Sequence, residues 1–176
     1  MSTVLRQIRI CRGARSDYAA LAAYHYRAAA PVAVALVGVA WHRVRGRCVR
    51  AGVVVLTMPW LNNAARQAAT ANRFTLRDPR ARARRLNREL RTIAGVVVHP
   101  RYRGIGVGRR LVRWALQHAG TRYVEATAQL GHLHPVFLRA GMHAVATAAD
   151  RPAYFWWERP PARAPAAGTG QRVCRH

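Results

Sequence analysis

Two spacings of apolar residues run through this chain, one every second position and one every three to four. In "VLRQIRI" (4–10), Ile8 and Ile10 alternate with Gln7 and Arg9, which predicts a half-buried first strand. Ser16 stands where a helix cap is needed, with Asp17 in the first turn. Tyr18, Leu21, Ala22 and His25 follow at helical spacing until Pro31 closes the segment. Two runs rich in β-branched residues, "VAVALVGVAW" (32–41) and "CVRAGVVVLTM" (48–58), flank the turn-like "HRVRGR" and predict a hairpin. "RTIAGVVVHP" (91–100) reads as a buried strand ended by Pro100. The period then changes. Val107, Leu111, Trp114 and Ala115 form one stripe of an amphipathic helix stopped at Gly120. "RYVEATA" (122–128) alternates as a strand, "LHPVFLRAG" (133–141) makes a short helix ending at Gly141, and "AYFWWE" (153–158) is a last aromatic strand.

The order β-α-β-β-β-α-β-α-β predicts one α/β (α+β) domain over residues 1–158, a size at which a single core suffices. Two segments stand outside the pattern. Residues 58–90 interrupt two strands that would otherwise form a hairpin, and the insertion is longer than most connections in compact domains. Residues 159–176 are rich in Pro, Ala and Gly with few apolar anchors, and are expected to be a disordered basic tail.

Charge changes the picture more than hydrophobicity does. The chain carries 30 basic residues against 6 acidic ones, a formal +24, and every basic residue is an arginine. Such a surface repels itself unless a polyanion is near, so nucleic acid or an acidic protein is the expected partner. The absence of lysine excludes a Walker A phosphate loop and a pyridoxal Schiff base. No apolar run reaches the roughly 18 residues of a membrane span, and the start of the chain lacks the apolar core of a secretory signal, so no membrane partner is expected. Cys11, Cys48 and Cys174 are odd in number and far apart, which fits a reducing cytoplasm better than a disulfide framework.

The chemistry concentrates in "HPRYRGIGVGRRLVRWAL" (99–116), where three glycines separate an apolar strand from an arginine-flanked helix. Glycines at such a turn can simply permit positive φ or close packing. They also bare the backbone N–H groups of a helix start, which together with the helix dipole form a site for phosphate or pyrophosphate. The dinucleotide pattern GxGxxG does not fit, because Arg109 stands where glycine or alanine is required.

Arg103 to Gly108 spell R-x-x-G-x-G, which resembles the acyl-CoA-binding motif of the GNAT superfamily of N-acyltransferases. The context is similar too: the strand "AGVVVHPRYRG" precedes the motif, an amphipathic helix and a strand follow it, and "HPVFLRAGM" comes after. The close resemblance covers residues 92–143. It implies a twisted mixed sheet of six to seven strands, splayed between the fourth and fifth to admit acyl-CoA, with acetyl-CoA as the expected cosubstrate. It also implies that Arg103, Gly104, Ile105, Gly106, Val107, Gly108 and Arg109 hold the CoA pyrophosphate through backbone amides. Val96, Val97 and Val98 would then hydrogen-bond the pantetheine arm.

Catalytic groups are harder to name. Acyl transfer to an amine requires removal of a proton from nitrogen, and a donor can assist the leaving thiolate. Many members of the family place that donor, a tyrosine, where this chain has Phe137; His132, His134 and Tyr154 are the nearest replacements. For the base, Glu89 just before the cofactor strand and Glu125 within the following strand are the candidates, each able instead to be a carboxylate paired with arginine. His25, on an apolar face, reads as a core or cleft histidine. His132 and His134 lack a third well-spaced ligand, so no metal is expected.

"RDPRARARRLNRELR" (77–91) holds seven arginines. As a helix from Pro79 it would line up Arg80, Arg84, Arg88 and Arg91, with Leu86 and Leu90 as an apolar foothold. Such a run is a solvated face or a polyanion contact. Two functions therefore compete: an acyltransferase acting on an amine, including one on or near nucleic acid, and a non-catalytic nucleic-acid-binding module with the same fold. The intact glycine motif favours the first.

Overall fold

The computed structural model describes residues 3–25, 30–129, 135–146 and 151–161. Seven strands form one sheet: β1 (Ile8–Arg12), β2 (Val34–Val44), β3 (Arg47–Thr57), β4 (Leu90–Val98), β5 (Tyr123–Ala128), β6 (His143–Val145) and β7 (Ala153–Glu158). Their spatial order is β1-β2-β3-β4-β5-β7-β6, and the β4–β5 pair alone is parallel. The β2–β3 hairpin turns on Arg45 and Gly46, both at positive φ, as a two-residue turn matched to strand twist requires.

The described residues also form six helices: α1 (Thr3–Gln7), α2 (Arg15–Ala19), α3 (Ala64–Ala69), α4 (Pro79–Glu89), α5 (Val107–His118) and α6 (Val136–Ala140). Short 3-10 turns lie at Ala22–Tyr24 and Pro100–Tyr102. The sheet is covered on both faces. α5 buries Val107, Leu111, Val112, Ala115 and Leu116 against Val54, Leu56, Val124 and Phe155 in the main core. On the other face, Tyr18 and Leu21 pack on Val53, Val55 and Val97, while Phe74 and Leu86 from the insertion pack on Leu90, Tyr123, Tyr154 and Trp156.

Five details differ from expectation. Residues 3–7 are helical and the first strand begins only at Ile8, because the short helix delivers Leu5 to the α5 core and the Arg110 guanidinium binds the Leu5 carbonyl. Ser16 caps nothing. α2 starts two residues earlier, with Ala14 at the N-cap, and Asp17 accepts the Ala14 N–H at 2.9 Å and the Arg50 guanidinium at 2.7 Å. The helix through His25 is broken into α2 and a 3-10 turn. Finally, the insertion holds two helices, capped by Asn63 and Asp78 accepting backbone N–H groups. β6, absent from the sequence reading, closes one edge beside β7. Of the tail, residues 162–176 lie outside the described residues.

Candidate functional site

The centre of the molecule is a break in sheet pairing. β3 and β4 run in register until Val55 pairs with Gly95 and Leu56 with Ile93, leaving Ala94 as an extra residue on β4. A bulge of this kind bends the strand and re-aims its edge. β4 pairs with β5 from Leu90↔Tyr123 only to Ile93↔Ala126. β4 continues to Val98, while β5 stays paired with β7 through Ala128. Past the bulge, the edge of β4 that faces β5 has no ladder partner among the described residues, so its N–H and C=O groups are available to an extended guest.

The glycine motif sits at the open end of this gap. His99 caps the Pro100–Tyr102 turn, and the chain then passes through Gly104 and Gly106 at φ of +79° and +100° into α5. Gly106 is the N-cap, and its left-handed backbone disfavours any side chain. Nothing lies within 4 Å of where a Cβ on Gly104 would stand, and only Leu5 Cδ2, at 3.5 Å, approaches that of Gly106. Gly108 differs: a Cβ there would meet Val136 Cγ2 at 3.3 Å, so this glycine serves the close packing of α6 on α5. Arg109 Nε is buried without a hydrogen-bond partner among the described residues, a donor that an anion at this helix start would satisfy. Arg103 turns to protein instead, its Nε donating to the Val98 carbonyl at 3.2 Å and its Nη2 to the Tyr24 carbonyl at 3.3 Å. It ties the motif to the strand end and to the 3-10 turn. The open loop, the orphaned Arg109 Nε and the unpaired β4 edge fit a pyrophosphate joined to an extended amide-bearing arm.

Across the other face lies a buried polar cluster. Glu125, 1% exposed, accepts Arg66 Nε at 2.8 Å on Oε2 and Arg66 Nη2 at 2.7 Å on Oε1. Thr92 Oγ1 adds a bond to Oε1 and Tyr154 OH one to Oε2, each at 2.7 Å. The four acceptor positions of the carboxylate are thereby filled. Burial, and then the Glu125 charge, push the Tyr154 hydroxyl well above the usual phenol range, so it stays protonated. Arg66 Nη1 also holds the Trp60 carbonyl at 2.7 Å, clamping the start of the insertion to the sheet. Arg66 was not among the residues singled out from sequence, where nothing separates it from the other arginines.

Glu89 lies at the far end of β4 from the motif. Burial opposes its charge, but hydrogen bonds from Arg73 and Arg88 and the charges of Arg73 and Arg85 hold its carboxyl below the usual range. Phe137 is a core ring stacked on Phe155 with centroids 4.9 Å apart. His132 and His134 lie outside the described residues. His25 is brought to the bulge: its Nε2 is 3.6 Å from the point where a Cβ on Gly95 would stand. A cavity of about 370 Å³ opens between Asn63, Ala64 and Ala68 of the α3 region and Thr127, Pro152 and Tyr154 of the sheet. A second, of about 450 Å³, lies at the opposite end of β5, against Arg73, Arg85, Tyr123 and Trp156. Among the described residues, no helix is long and apolar enough to cross a membrane.

The sequence profile of the acetyltransferase (GNAT) family matches residues 77–142, the segment carrying α4, the bulged strand, the glycine motif and α5. No curated protein matches the chain by sequence. Among solved structures, a domain from Methanocaldococcus jannaschii superposes with a TM-score of 0.54 at 13% identity, covering 86% of this chain and 98% of its own. A Bacillus subtilis acetyltransferase in complex with CoA gives 0.52 at 15% identity, covering 87% and 99%. A Drosophila melanogaster polyamine N-acetyltransferase that forms N-acetylagmatine gives 0.51 at 14% identity, covering 86% and 100%. These likenesses establish the shared fold. The profile match falls on the residues that build the strand gap and its glycine loop, so this chain is similar to the GNAT acetyltransferases in that segment and shares its fold with solved members of the group.

Proposed function

We propose that this protein transfers an acyl group, acetyl in the first instance, from CoA to the nitrogen of an amine. The observation that carries the reading is the unpaired edge of β4 after Gly95, leading to a helix start with bare amides and an unsatisfied Arg109 Nε. In this reading the amides from Gly104 to Arg109 hold the pyrophosphate, and the main chain of Val96, Val97 and Val98 aligns the pantetheine arm. The thioester then lies near the bulge, and the amine approaches from the face bearing Tyr154 and Thr127, through the cavity beside α3. Glu89 and Glu125 are both committed to arginines, so we assign the proton of the amine to neither.

Two measurements test this. Acetyl-CoA should raise the melting temperature, since a ligand bound only by the native state stabilises it by mass action. Gly106→Val should abolish that shift. Release of the CoA thiol should then be followed with acetyl-CoA and a panel of primary amines that includes agmatine and 2-phenylethylamine. A wild-type protein that neither binds acetyl-CoA nor acylates any of these amines would reject the enzyme reading.

A second reading concerns α4, where the arginines divide by direction. Arg82 turns inward to the Leu76 carbonyl and to Asn62 Oδ1, and Arg85 pairs with Glu89. Arg84 and Arg88 point outward with side chains 72% and 74% exposed, and Arg80 precedes them at the same four-residue interval. The outer row places guanidinium stems about 6 Å apart along the helix. We propose that this row contacts the phosphates of a nucleic acid, which would bring a nucleic-acid-bound acceptor to the enzyme. Polyanion binding without acetyl-CoA binding would instead favour the non-catalytic module.

A further inference from the structure

With both carboxylates engaged, the site needs another group to take the proton from the attacking amine, and the 3-10 turn after α2 supplies one. We propose that His25 is the catalytic base, an assignment that rests on the acyltransferase reading above. Gly95 is the first β4 residue past the bulge, and β4 pairs with β5 only as far as Ile93, so a guest entering the gap meets the strand at the bulge. The imidazole lies over this residue, with Nε2 at 3.6 Å and Cε1 at 3.9 Å from the position a Cβ would occupy, so Nε2 leads toward the strand. His25 is half-buried, which leaves a path for the proton to water.

The ring is held by elements that also hold the cofactor loop. Tyr18 of α2 meets it edge-on, with centroids 6.2 Å apart and planes at 66°. The preceding residue, Tyr24, offers its carbonyl to Arg103 of the glycine motif and sets its ring against His99 at 5.0 Å. The loop that would grip the pyrophosphate and the imidazole at the bulge are therefore parts of one framework, with the distance between them set by the protein.

The chemistry balances without a further reactant. Nε2 takes one proton from the bound alkylammonium and passes it to water, and the freed lone pair attacks the thioester carbonyl carbon. The C–S bond breaks, and the second proton, lost from nitrogen as the amide forms, goes to the departing thiolate. A group in this role contributes typically 10²–10⁴-fold to the rate.

The test compares wild type with His25→Gln, using acetyl-CoA and whichever amine of the panel turns over fastest. In parallel, hydroxylamine serves as an acceptor that is already unprotonated at neutral pH. The variant should bind acetyl-CoA as wild type does. It should lose about 10²-fold or more in kcat with the alkylamine and far less with hydroxylamine, because only the former needs its proton removed. Retained turnover of the alkylamine overturns the assignment. Equal loss with both acceptors also overturns it, since that pattern belongs to a residue that merely shapes the cleft. A wild type inactive with every acceptor would instead strike the acyltransferase reading itself, and His25 with it.

Discussion

Arg66 and the outer arginines of α4 belong to the same insertion, yet they do opposite work. Arg66 is 1% exposed, gives two hydrogen bonds to Glu125 and a third to Trp60, and ties α3 to the sheet beside the strand gap. Arg84 and Arg88 stand in solvent, with long contacts of 3.9 Å to Asp78 and 3.3 Å to Glu89. Between these extremes, Arg73 and Arg85 hold Glu89 at 2.9 and 3.4 Å, half in water. In sequence the conspicuous feature is the run of seven; in the structure the consequential arginine is the isolated one. A charge gains structural weight through desolvation and a fixed counter-charge, neither of which a count of arginines reports.

Removing one partner of the buried pair should separate these classes most sharply. Arg66→Ala leaves Glu125 buried with no cation and should cost about 3–5 kcal/mol, or on the order of 10 °C in melting temperature for a chain of this size. Replacing both partners, as Arg66→Met with Glu125→Leu, should cost much less, because no unpaired charge remains. A single Arg66→Ala variant as stable as wild type in urea unfolding would remove the distinction.

The intermediate class should respond to pH. The carboxyl of Glu89 is held below its usual range when folded, so its contribution is present above the unfolded value near 4.5 and lost as pH falls through the lower folded value. Glu89→Gln should therefore be less stable than wild type at neutral pH by about 1 kcal/mol or less, given the solvent around its partners. The difference should close in acid. Unfolding curves measured at pH 7 and below pH 3 with equal penalties at both would show that the ion pairs contribute nothing.

The smallest effect on stability should come from the outer row. Arg80→Gln, Arg84→Gln and Arg88→Gln together keep helix propensity and should shift stability by no more than about 0.5 kcal/mol. The same triple variant should weaken binding to a single-stranded oligonucleotide. If three phosphate contacts are lost, the slope of log affinity against log salt should become shallower by about 2. An unchanged slope would leave the row as a solvated face.

Much of the fold is legible in the local pattern, because strand and helix periods are properties of a few consecutive residues. The β2–β3 hairpin, the amphipathic α5, the helix ending at Gly141 and the R-x-x-G-x-G cradle all follow from neighbours in sequence. Where a residue's role depends on what crosses it from elsewhere, the local pattern misleads. Leu5 turns a predicted strand into a helix because α5 offers it a core, and Phe137 is a packing ring because Phe155 lies beneath it.

The candidate site divides along the same line. By itself the sequence determined the glycine loop, whose requirement for positive φ at Gly104 and Gly106 is written in residue type. Only the tertiary structure decided the surroundings of the acids and of His25. Glu125 meets Arg66 across 59 positions, Thr92 across 33 and Tyr154 across 29, and these contacts turn a candidate base into a saturated anchor. His25 comes to Gly95 because two separate elements fold over one bulge. Such pairings depend on distances in space between residues distant along the chain, and no periodicity of a single strand or helix encodes them.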